Sequence, residues 1–204
     1  ASHLHSAGIR LRKSQLHEVK QSHENIKHLL NKVSVITRHL KSFAREAGSE
    51  IVPVNVNKVI LDTLELMSNR LTEVNCEMKF KPLSQQLYVY AEPIRLEQVL
   101  INLLSNGVDA VKNSEKRQLE IEVYKKEDEV WIAVRDNGIG IEPEQLEYLF
   151  DPFYTQKDVG EGLGLGLSIS YNIVQDFGGQ IRVTSAIGKG SSFVLVLRSS
   201  DKKE

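Results

Sequence analysis

The sequence predicts an α+β fold in which a mixed sheet carries helices on one face, preceded by a long N-terminal helix. Three observations predict it. The first 47 residues contain no proline and repeat apolar residues every seven positions. From Pro53 onward, segments of helical periodicity mix with segments in which apolar and polar residues alternate. Between the two regions, Gly48 and Pro53 interrupt both patterns, which predicts a domain boundary.

Residues 1–48 are predicted to form a helical dimerisation segment. Their apolar heptad series runs from Val19 to Leu40, and such a seam needs a partner helix to cover it. We therefore expect a homodimer through this N-terminal helix; the alternative is a helix docked on the chain's own globular domain. Because the chain starts with Ala1-Ser2-His3 and not with Met, we also expect a cloning remnant there.

Residues 53–204 contain the elements of an α/β sandwich. "NKVILDTLELMSNRL", "EPIRLEQVLINLLSNGVDAVKN" and "SISYNIVQDF" have helical periodicity, and Pro93 suits the first turn of the second helix. "EMKFKP" and "QLYVYA" are typical of short strands. "QLEIEVYKKEDEVWIAVRD" and "QIRVTSAIGKGSSFVLVLR" are typical of hairpins. This order predicts one sheet with its helices on one side.

Composition excludes several classes of partner. A net charge of −1 provides no basic field, so we expect no nucleic-acid partner. The chain lacks an apolar run of about 18 residues, so we expect no membrane contact by this segment. Cys76 is the single cysteine, which fits a reducing compartment and predicts a cytoplasmic location.

The stretch "GEGLGLGLSI" places Gly162, Gly164 and Gly166 directly before a predicted helix. Unpaired N–H groups and the helix dipole make such an N-terminus attractive to phosphate, and glycine lets a ligand reach the backbone. No strand precedes the run, which argues against a dinucleotide fingerprint, and no Lys-Ser/Thr follows it, which argues against a P-loop. The run therefore indicates a phosphate cradle, and a ligand-free glycine hinge is the alternative.

"VRDNGIGI" follows an apolar strand and places Asp136 at its end. A carboxylate there can accept a hydrogen bond from an exocyclic amine such as that of adenine, whereas it would repel the carbonyl of guanine. Gly138 and Gly140 would let a flat base lie against the backbone. The alternative is an ordinary turn.

The helix after Pro93 carries a polar stripe opposite its apolar face. Asparagine is a mediocre helix former, so two of them four residues apart in mid-helix need a reason. Amide oxygens suit Mg²⁺, which binds substrate phosphates through few protein contacts. The alternative is a solvated face. The stripe consists of Arg95, Gln98, Asn102, Asn106, Asp109 and Asn113.

Two further stretches flank these motifs. In "LFDPFYTQK", Phe150 and Phe153 are expected to anchor a mobile lid, and Lys157 to approach a terminal phosphate. The alternative is a loop with buried aromatic residues. In "GKGSSF", a tight turn is expected, with Ser191 or Ser192 helping to hold the base.

The segments "NLLSN", "DNGIG", "FDPFY", "GLGLGL" and "GKGSSF" closely resemble the N, G1, F, G2 and G3 boxes of bacterial two-component sensor histidine kinases. The resemblance covers about residues 53–198 and is greatest to the C4-dicarboxylate and nitrogen-regulatory sensors. It implies a Bergerat-type (GHKL) ATP-binding sandwich as the catalytic domain at residues 53–204, with ATP and Mg²⁺ as cofactors.

The resemblance also implies roles for individual residues. Asn106 would be the Mg²⁺ ligand, with Asn102 near the phosphates and the metal, and Asp136 would bind the adenine amine. Catalytic candidates are Asn102, Lys157 and His23. The implied nucleotide-binding set is Asn102, Asn106, Asp109, Asp136, Gly138, Gly140, Ile141, Phe153, Lys157, Gly162, Leu163, Gly164, Leu165, Gly166 and Ser191.

In the family, a histidine on the dimerisation helix takes the γ-phosphate of ATP and passes it to an aspartate of a response regulator protein. The resemblance therefore implies a protein-histidine kinase, the cytoplasmic part of a membrane-bound sensor. An ATP-binding module without phosphotransfer and a gyrase- or chaperone-like ATPase are the alternatives. The last would carry a glutamate base where this helix has Asn102.

The phosphoacceptor motif is where the chain departs from the family. His23 and Glu24 form the expected pair, but "NIKHLL" follows without the family's proline or room for a helical hairpin. Either the chain keeps only the second dimerisation helix with other sequence before it, or His23 accepts phosphate in an unusual single-helix arrangement.

Overall fold

The computed structural model describes Ser22 and residues 50–157 and 163–200. The chain divides into two compact units, residues 1–49 with 157–161 and residues 50–156 with 162–204. The predicted dimerisation segment and His23 lie outside the described residues, apart from the single helical residue Ser22. Those predictions, and the predicted domain boundary, therefore stay predictions.

The described part of the second unit alternates helices and strands in the predicted order. Two elements were not predicted, the edge strand at the Pro53 boundary and a short helix after the DNGIG motif. None of the helices in the described ranges is long and apolar enough to cross a membrane. The elements are β1 (Val52–Asn55), α1 (Val56–Glu73), β2 (Glu77–Phe80), β3 (Tyr88–Ala91), α2 (Pro93–Val111), β4 (Gln118–Lys126), β5 (Glu129–Asp136), α3 (Pro143–Leu146), α4 (Gly166–Asp176), β6 (Gln180–Ala186) and β7 (Gly190–Ser200).

The seven strands form one mixed sheet in the order β1-β3-β7-β5-β4-β2, with β6 also paired to β7. β7 is long enough to pair with β6 along residues 190–196 and with β3 at Ser199 and Ser200. The pair β2–β4 is parallel, and the other pairs in the described sheet are antiparallel. The expectation of a mixed sheet is confirmed.

Alternation along the strands gives the sheet one buried face. In β4, Leu119 and Ile121 are buried, whereas Glu120 and Glu122 face solvent on the other side, as the period of two requires. Arg135 of the neighbouring strand β5 forms ion pairs with Glu120 and Glu122 on that open face. The helices therefore pack on the Leu119 face alone.

α2 is the central helix of this packing, in contact with α1, α4 and strands β4, β5 and β7. Its predicted apolar face is buried throughout, and burying one such side chain contributes about 1.5–3 kcal/mol. This burial fixes the rotation of α2 and so fixes where its polar stripe points. The buried face consists of Leu96, Val99, Leu100, Leu103, Leu104, Val108 and Val111.

Both ends of α2 are held by specific contacts. At its start, Pro93 occupies the first turn, and the Glu92 carboxylate accepts hydrogen bonds from the N–H groups of Ile94 (3.2 Å) and Arg95 (3.0 Å). The Arg95 guanidinium then pairs with Asp176 at the end of α4, at 2.5 Å. Towards its other end, Ala110 accepts a hydrogen bond through its backbone oxygen from the N–H of Ile139, in the loop after β5.

Candidate nucleotide-binding site

Asp136 is the last residue of β5 and lies between Leu119 of β4 and Ser191 of β7. Its carboxylate accepts a hydrogen bond from the N–H of Gly138 at 2.9 Å. Burial raises the pKa of this carboxyl above its usual value, while hydrogen bonds from Gly138 and Ser191 act in the opposite direction. The structure therefore presents a partly buried hydrogen-bond acceptor at the end of β5. A hydrogen-bond donor on a ligand would stabilise the ionised form of this carboxylate.

A chain of hydroxyls connects Asp136 to the loop that follows it. Ser191, whose hydroxyl lies within hydrogen-bonding range of Asp136, is 3.0 Å from the hydroxyl of Ser185 on β6. Ser185 in turn accepts a hydrogen bond from the N–H of Ile141 at 2.8 Å and lies 3.0 Å from the carbonyl of Gly190. The predicted residues Asp136, Ile141 and Ser191 thus belong to one network. Sequence reasoning missed Ser185 because an isolated serine in a strand carries no local signal.

Gly138 and Gly140 allow backbone segments to approach closely. A Cβ on Gly138 would lie 2.5 Å from the backbone oxygen of Ala110, and one on Gly140 would lie 2.1 Å from that of Ala186. Gly140 also has a φ of +75°, which favours glycine. The sequence analysis attributed these glycines to a base lying on the backbone. The structure gives a different requirement, the packing of this loop against α2 and β6, and base contact stays a prediction.

The polar stripe of α2 includes two amides, Asn102 and Asn106, which we call the amide stripe. Asn102 contacts the first turn of α4. The Nδ2 of Asn102 donates hydrogen bonds to the carbonyl of Gly166 and to the hydroxyl of Ser170, both at 3.2 Å. Asn106 follows one turn later and is half-buried. Spacings of three and four place these amides on one side of the helix with Asp109. The structure therefore brings Asn102 together with Gly166, as the sequence predicted.

Asp109 has a partner that the sequence did not reveal. The Arg70 guanidinium on α1 contacts its carboxylate at 2.7 Å and the hydroxyl of Ser105 at 3.0 Å. Arg70 is 39 residues away in the chain, and helical periodicity alone does not show which side chain faces the stripe. The charge of Asp109 is thus compensated within the protein, and its role towards a nucleotide stays a prediction.

The two phenylalanines of the LFDPFYTQK connector have different surroundings. The ring of Phe150 packs on Tyr171 of α4, with ring centroids 5.3 Å apart. Phe153 has a φ of +70° and is 68% exposed. Phe150 thus attaches this segment to α4, and the mobile lid itself stays a prediction. The expectation that Phe153 anchors the lid is wrong, because its side chain is not buried; contact with a nucleotide stays a prediction for it.

The backbone of the connector is fixed to the residues before α4. The N–H of Phe153 donates to the carbonyl of Gly164 at 3.0 Å. A Cβ on Gly164 would lie 2.5 Å from the backbone oxygen of Tyr154, and its φ is +65°, so this contact requires glycine. Gly162 lies outside the described residues, and Lys157 falls in the other compact unit; their predicted roles stay predictions.

α4 begins at Gly166, the last glycine of the run and close to the predicted start, with half-buried Leu163 and Leu165 just before it. Leu165 is the N-cap and provides no side-chain hydrogen bond to the first turn. An uncapped first turn has N–H groups available for an anion. The start of α4 is therefore compatible with the phosphate cradle, which stays a prediction.

Gly107 connects the two halves of the site. It follows Asn106 directly, and a Cβ on it would lie 2.5 Å from Leu119 Cδ2 and 3.6 Å from Asp136 Cβ. The amide stripe and the Asp136 network therefore adjoin the same stretch of α2, on the helical side of the sheet. A glycine in mid-helix costs about 1 kcal/mol relative to alanine. Gly107 could therefore have been recognised in the sequence as a position where a close contact requires glycine.

Two other features of the described residues bear on ligand binding. No group of three His, Cys, Asp or Glu side chains is arranged for a metal ion within residues 50–157 and 163–200. An open groove of about 630 Å³ lies along residues 78–81 and 120–124, at the β2 edge of the sheet. That groove does not include Asp136 or the amide stripe, so its size does not identify it as the nucleotide site.

Comparison with known families decides the classification. A family model described as "Histidine kinase-, DNA gyrase B-, and HSP90-like ATPase" matches residues 91–201, more than half of the chain. The chain belongs to this family. The matched range contains the amide stripe, the DNGIG loop and the GKGSSF turn, so the ATP-binding domain of this family includes the site described above.

Similar proteins place this ATP-binding domain among the sensor histidine kinases. The C4-dicarboxylate transport sensor protein DctB of Rhizobium meliloti is 34% identical over 190 residues, covering 93% of this chain and 30% of the relative. Sensor histidine kinase ZraS of Salmonella typhimurium is 36% identical over 170 residues, covering 82% of this chain and 35% of the relative. The chain thus spans about a third of the length of these relatives. The resemblance stated from the motifs is confirmed.

Solved structures give the same result. The nucleotide-free catalytic domain of histidine kinase ThkA has a TM-score of 0.65 at 30% identity, covering 73% of this chain and 95% of that one. Full-length ShkA in complex with AMPPNP has a TM-score of 0.71 at 24% identity, covering 87% of this chain and 37% of that one, which shows a shared fold. The predicted Bergerat-type fold class is therefore confirmed for the ATP-binding domain.

Proposed function

We propose that the protein is an ATP-dependent protein-histidine kinase that transfers the γ-phosphate of ATP to a histidine and onward to an aspartate of a response regulator. The observation that supports it most directly is the position of Asp136, which is partly buried and lies beside Gly107 of α2. Gly107 is on the same helix as Asn102 and Asn106. The site therefore offers a carboxylate acceptor for a base next to amides for a metal–phosphate group.

Asp136 supports recognition of adenine. An exocyclic amine donates to a carboxylate, and partial burial makes this charge-assisted hydrogen bond stronger than it would be in water. Guanine would present a carbonyl oxygen there and leave the carboxylate without its partner. Ser191 and Gly138 hold the Asp136 carboxylate in place, so the acceptor does not have to be ordered when the base binds.

The α2 stripe fits Mg²⁺ by the chemistry of its donors. Asn102 and Asn106 provide neutral amide oxygens, and Asp109, the carboxylate of the same polar stripe, is already paired with Arg70. Mg²⁺ prefers hard oxygen ligands and is usually held by few protein groups together with phosphate oxygens and water. The bound ion would neutralise phosphate charge, as in other phosphoryl transfers. We assign Asn106 as its protein ligand and place Asn102 beside the phosphates.

Nucleotide binding is tested by titrating a fluorescent ATP analogue with Mg²⁺ against wild type, Asp136→Asn and Asp128→Asn. Asp128 is exposed in the β4–β5 turn and is the control for the same chemical change. Losing a hydrogen bond to a charged group costs about 1.5–3 kcal/mol, so Asp136→Asn should weaken binding about ten- to a hundredfold. ATP should displace the analogue and GTP should not. Equal affinities for the three proteins would reject the adenine assignment.

Phosphotransfer is tested with γ-labelled ATP. Acid-labile, base-stable label on the protein indicates phosphohistidine, and its loss in His23→Gln would assign the acceptor. Label that persists in His23→Gln would reject His23. Nucleotide binding without any label would favour the second candidate, an ATP-binding regulatory module, which the missing family motif around His23 supports.

The proposed biological setting follows from the family. We infer that the chain forms a homodimer through its N-terminal helix and that its partner is a response regulator. We also infer that the chain is the cytoplasmic part of a membrane-bound sensor. Sedimentation of the chain measures the first inference, since a monomer at micromolar concentration would contradict it.

A further inference from the structure

Ser170 is a fully buried hydroxyl on α4 that the proposed function has not used; its exposed fraction is 0%. It lies 68 residues from Asn102 in the chain, yet accepts a hydrogen bond from the Asn102 Nδ2 at 3.2 Å. Ser170 itself donates to the carbonyl of Gly166 at 2.9 Å, and Asn102 donates to that same carbonyl at 3.2 Å. The three groups close a triangle between α2 and the first turn of α4.

This triangle fixes which way the amide of Asn102 points. A backbone carbonyl only accepts hydrogen bonds, so the group facing Gly166 must be Nδ2 and not Oδ1. An amide nitrogen has two protons, and Gly166 and Ser170 provide one acceptor for each. The amide is planar, so Oδ1 points away from these two acceptors. Within the described part of the chain, no hydrogen bond is formed to Oδ1 of Asn102.

We propose that Ser170 is a positioning residue, which holds the Asn102 amide so that its Oδ1 is presented to the magnesium–phosphate part of the nucleotide. The inference rests on the proposed Mg-nucleotide function. Hard cations bind the oxygen of an amide and not its nitrogen, so a rotated Asn102 would present the wrong atom. The same contact makes that orientation depend on where the first turn of α4 lies, because Gly166 and Ser170 both belong to α4.

Removing the hydroxyl leaves the second Nδ2 proton without an acceptor. Gly166 still accepts the first proton, so the amide loses part of its restraint. A typical hydrogen bond is worth about fivefold to tenfold in an equilibrium, and this bounds the expected effect. The effect should fall on the metal-dependent part of nucleotide binding, because Ser170 acts through Asn102 and not through the base site at Asp136.

The test compares Ser170→Ala with Ser168→Ala. Ser168 is the matched control: it lies on α4, is 5% exposed, and donates to the carbonyl of Leu165 at 2.9 Å without a contact to Asn102. We measure the Mg²⁺ concentration that gives half-maximal binding of the fluorescent ATP analogue, and the affinity for the analogue in EDTA. Ser170→Ala should raise the required Mg²⁺ about five- to tenfold and leave the EDTA affinity unchanged; Ser168→Ala should change neither.

A double variant tests whether Ser170 acts through Asn102. In an Asn102→Ala background, Ser170→Ala should have no additional effect on the Mg²⁺ requirement, since residues that act as a unit are not additive. An equal effect in both backgrounds would overturn the inference. So would an unchanged Mg²⁺ requirement in Ser170→Ala, or an equal loss in EDTA.

The proposed function and the inference can fail separately. Wild type that binds the analogue equally with Mg²⁺ and with EDTA would contradict the proposed magnesium function and the inference with it. Mg²⁺-dependent wild type with a normal Ser170→Ala would reject the inference alone. Should Ser170→Ala fold poorly, NMR of nucleotide-free wild type decides: slow exchange of the Asn102 side-chain amide protons with water supports the triangle, and rapid exchange overturns it.

Discussion

At the residue scale, the adenine-binding role proposed for Asp136 comes with a cost in stability. Burial raises its pKa above the usual 3.8, so the ionised carboxylate is disfavoured in the folded protein relative to the unfolded chain. The folded state then holds more protons than the unfolded state between 3.8 and the raised pKa. The free energy of unfolding therefore falls as pH rises through that window, and the loss stays complete above it.

Asp136→Asn should consequently be at least as stable as wild type at neutral pH when no nucleotide is present. Its side-chain oxygen can still accept the hydrogen bond from Gly138, and the unfavourable charge is gone. Thermal unfolding followed by circular dichroism from pH 3.5 to 8 measures this, with Asp128→Asn as control. The advantage of the variant should shrink as pH falls. A variant that is much less stable than wild type at pH 7, or an advantage that grows in acid, would contradict it.

Gly190 and Gly188 offer a matched pair in the β6–β7 turn. Both have positive φ, +84° and +72°, so alanine is strained at either position. A Cβ on Gly190 would lie 1.9 Å from the backbone oxygen of Asp136, whereas one on Gly188 would meet nothing within 4 Å. Gly188→Ala should cost about 1 kcal/mol, and Gly190→Ala clearly more. Urea unfolding of both variants measures the difference, and equal costs would show that the clash is relieved at no cost.

At the element scale, the start of α2 depends on an unusual cap. The Glu92 carboxylate bonds the N–H groups of Ile94 and Arg95 through its two different oxygens. Losing an N-cap acceptor costs about 0.5–2 kcal/mol. Glu92→Ala should lower the free energy of unfolding by this amount, and Glu92→Gln, which keeps one oxygen but no charge, by less. Urea titrations test the ranking; Glu92→Gln as unstable as Glu92→Ala would reject it.

α2 also shows what a sequence can and cannot predict about a site. Its apolar face and its amide stripe follow from local spacing, since residues three and four apart share a face of any helix. The partners of that stripe do not. Asn102 contacts Ser170 and Asp109 contacts Arg70 at separations of 68 and 39 residues, and periodicity carries no information about which element packs opposite.

The edge strand β1 went unpredicted for a related reason. Its four residues include Pro53, which removes one backbone donor and is typical of a break in regular structure. An edge strand tolerates proline because one of its sides has no neighbouring strand. β1 exists because β3 pairs with it, for example Val54 with Val89, and a pairing between segments this far apart in the chain leaves no local signal in the sequence.

At the scale of the whole molecule, strand identity was predictable and strand order was not. The alternation in β4 and β5 marks both as half-buried strands of a hairpin. Nothing local indicates that β7 joins β5 to β3, or that β2 pairs with β4 in parallel. The family resemblance provided the fold class, and the structure provides the strand order. The resemblance also provided the assignment of Asp136 to adenine, which a strand ending in an acid would not have established by itself.

Nucleotide binding should be visible as stabilisation of the whole ATP-binding domain. A ligand that binds only the folded state adds about 2.7 kcal/mol of stability at a concentration of 100 Kd. For a chain of this size, 1 kcal/mol raises Tm by about 2–4 °C, so saturating Mg-ATP should raise Tm by about 5–11 °C. Thermal unfolding with Mg-ATP, with ATP in EDTA and with Mg²⁺ alone measures the shift.

The three conditions separate the contributions of base and metal. Because Asp136 is proposed to contact the base and the α2 amides the metal–phosphate group, ATP in EDTA should give a smaller shift than Mg-ATP, and Mg²⁺ alone almost none. At an ATP concentration of 100 times the wild-type Kd, Asp136→Asn should lose about half or more of the shift from Mg-ATP, although its own Tm without nucleotide is not reduced. A full shift in Asp136→Asn would contradict the adenine assignment, since a variant with a lower affinity for ATP must be stabilised less at the same ATP concentration.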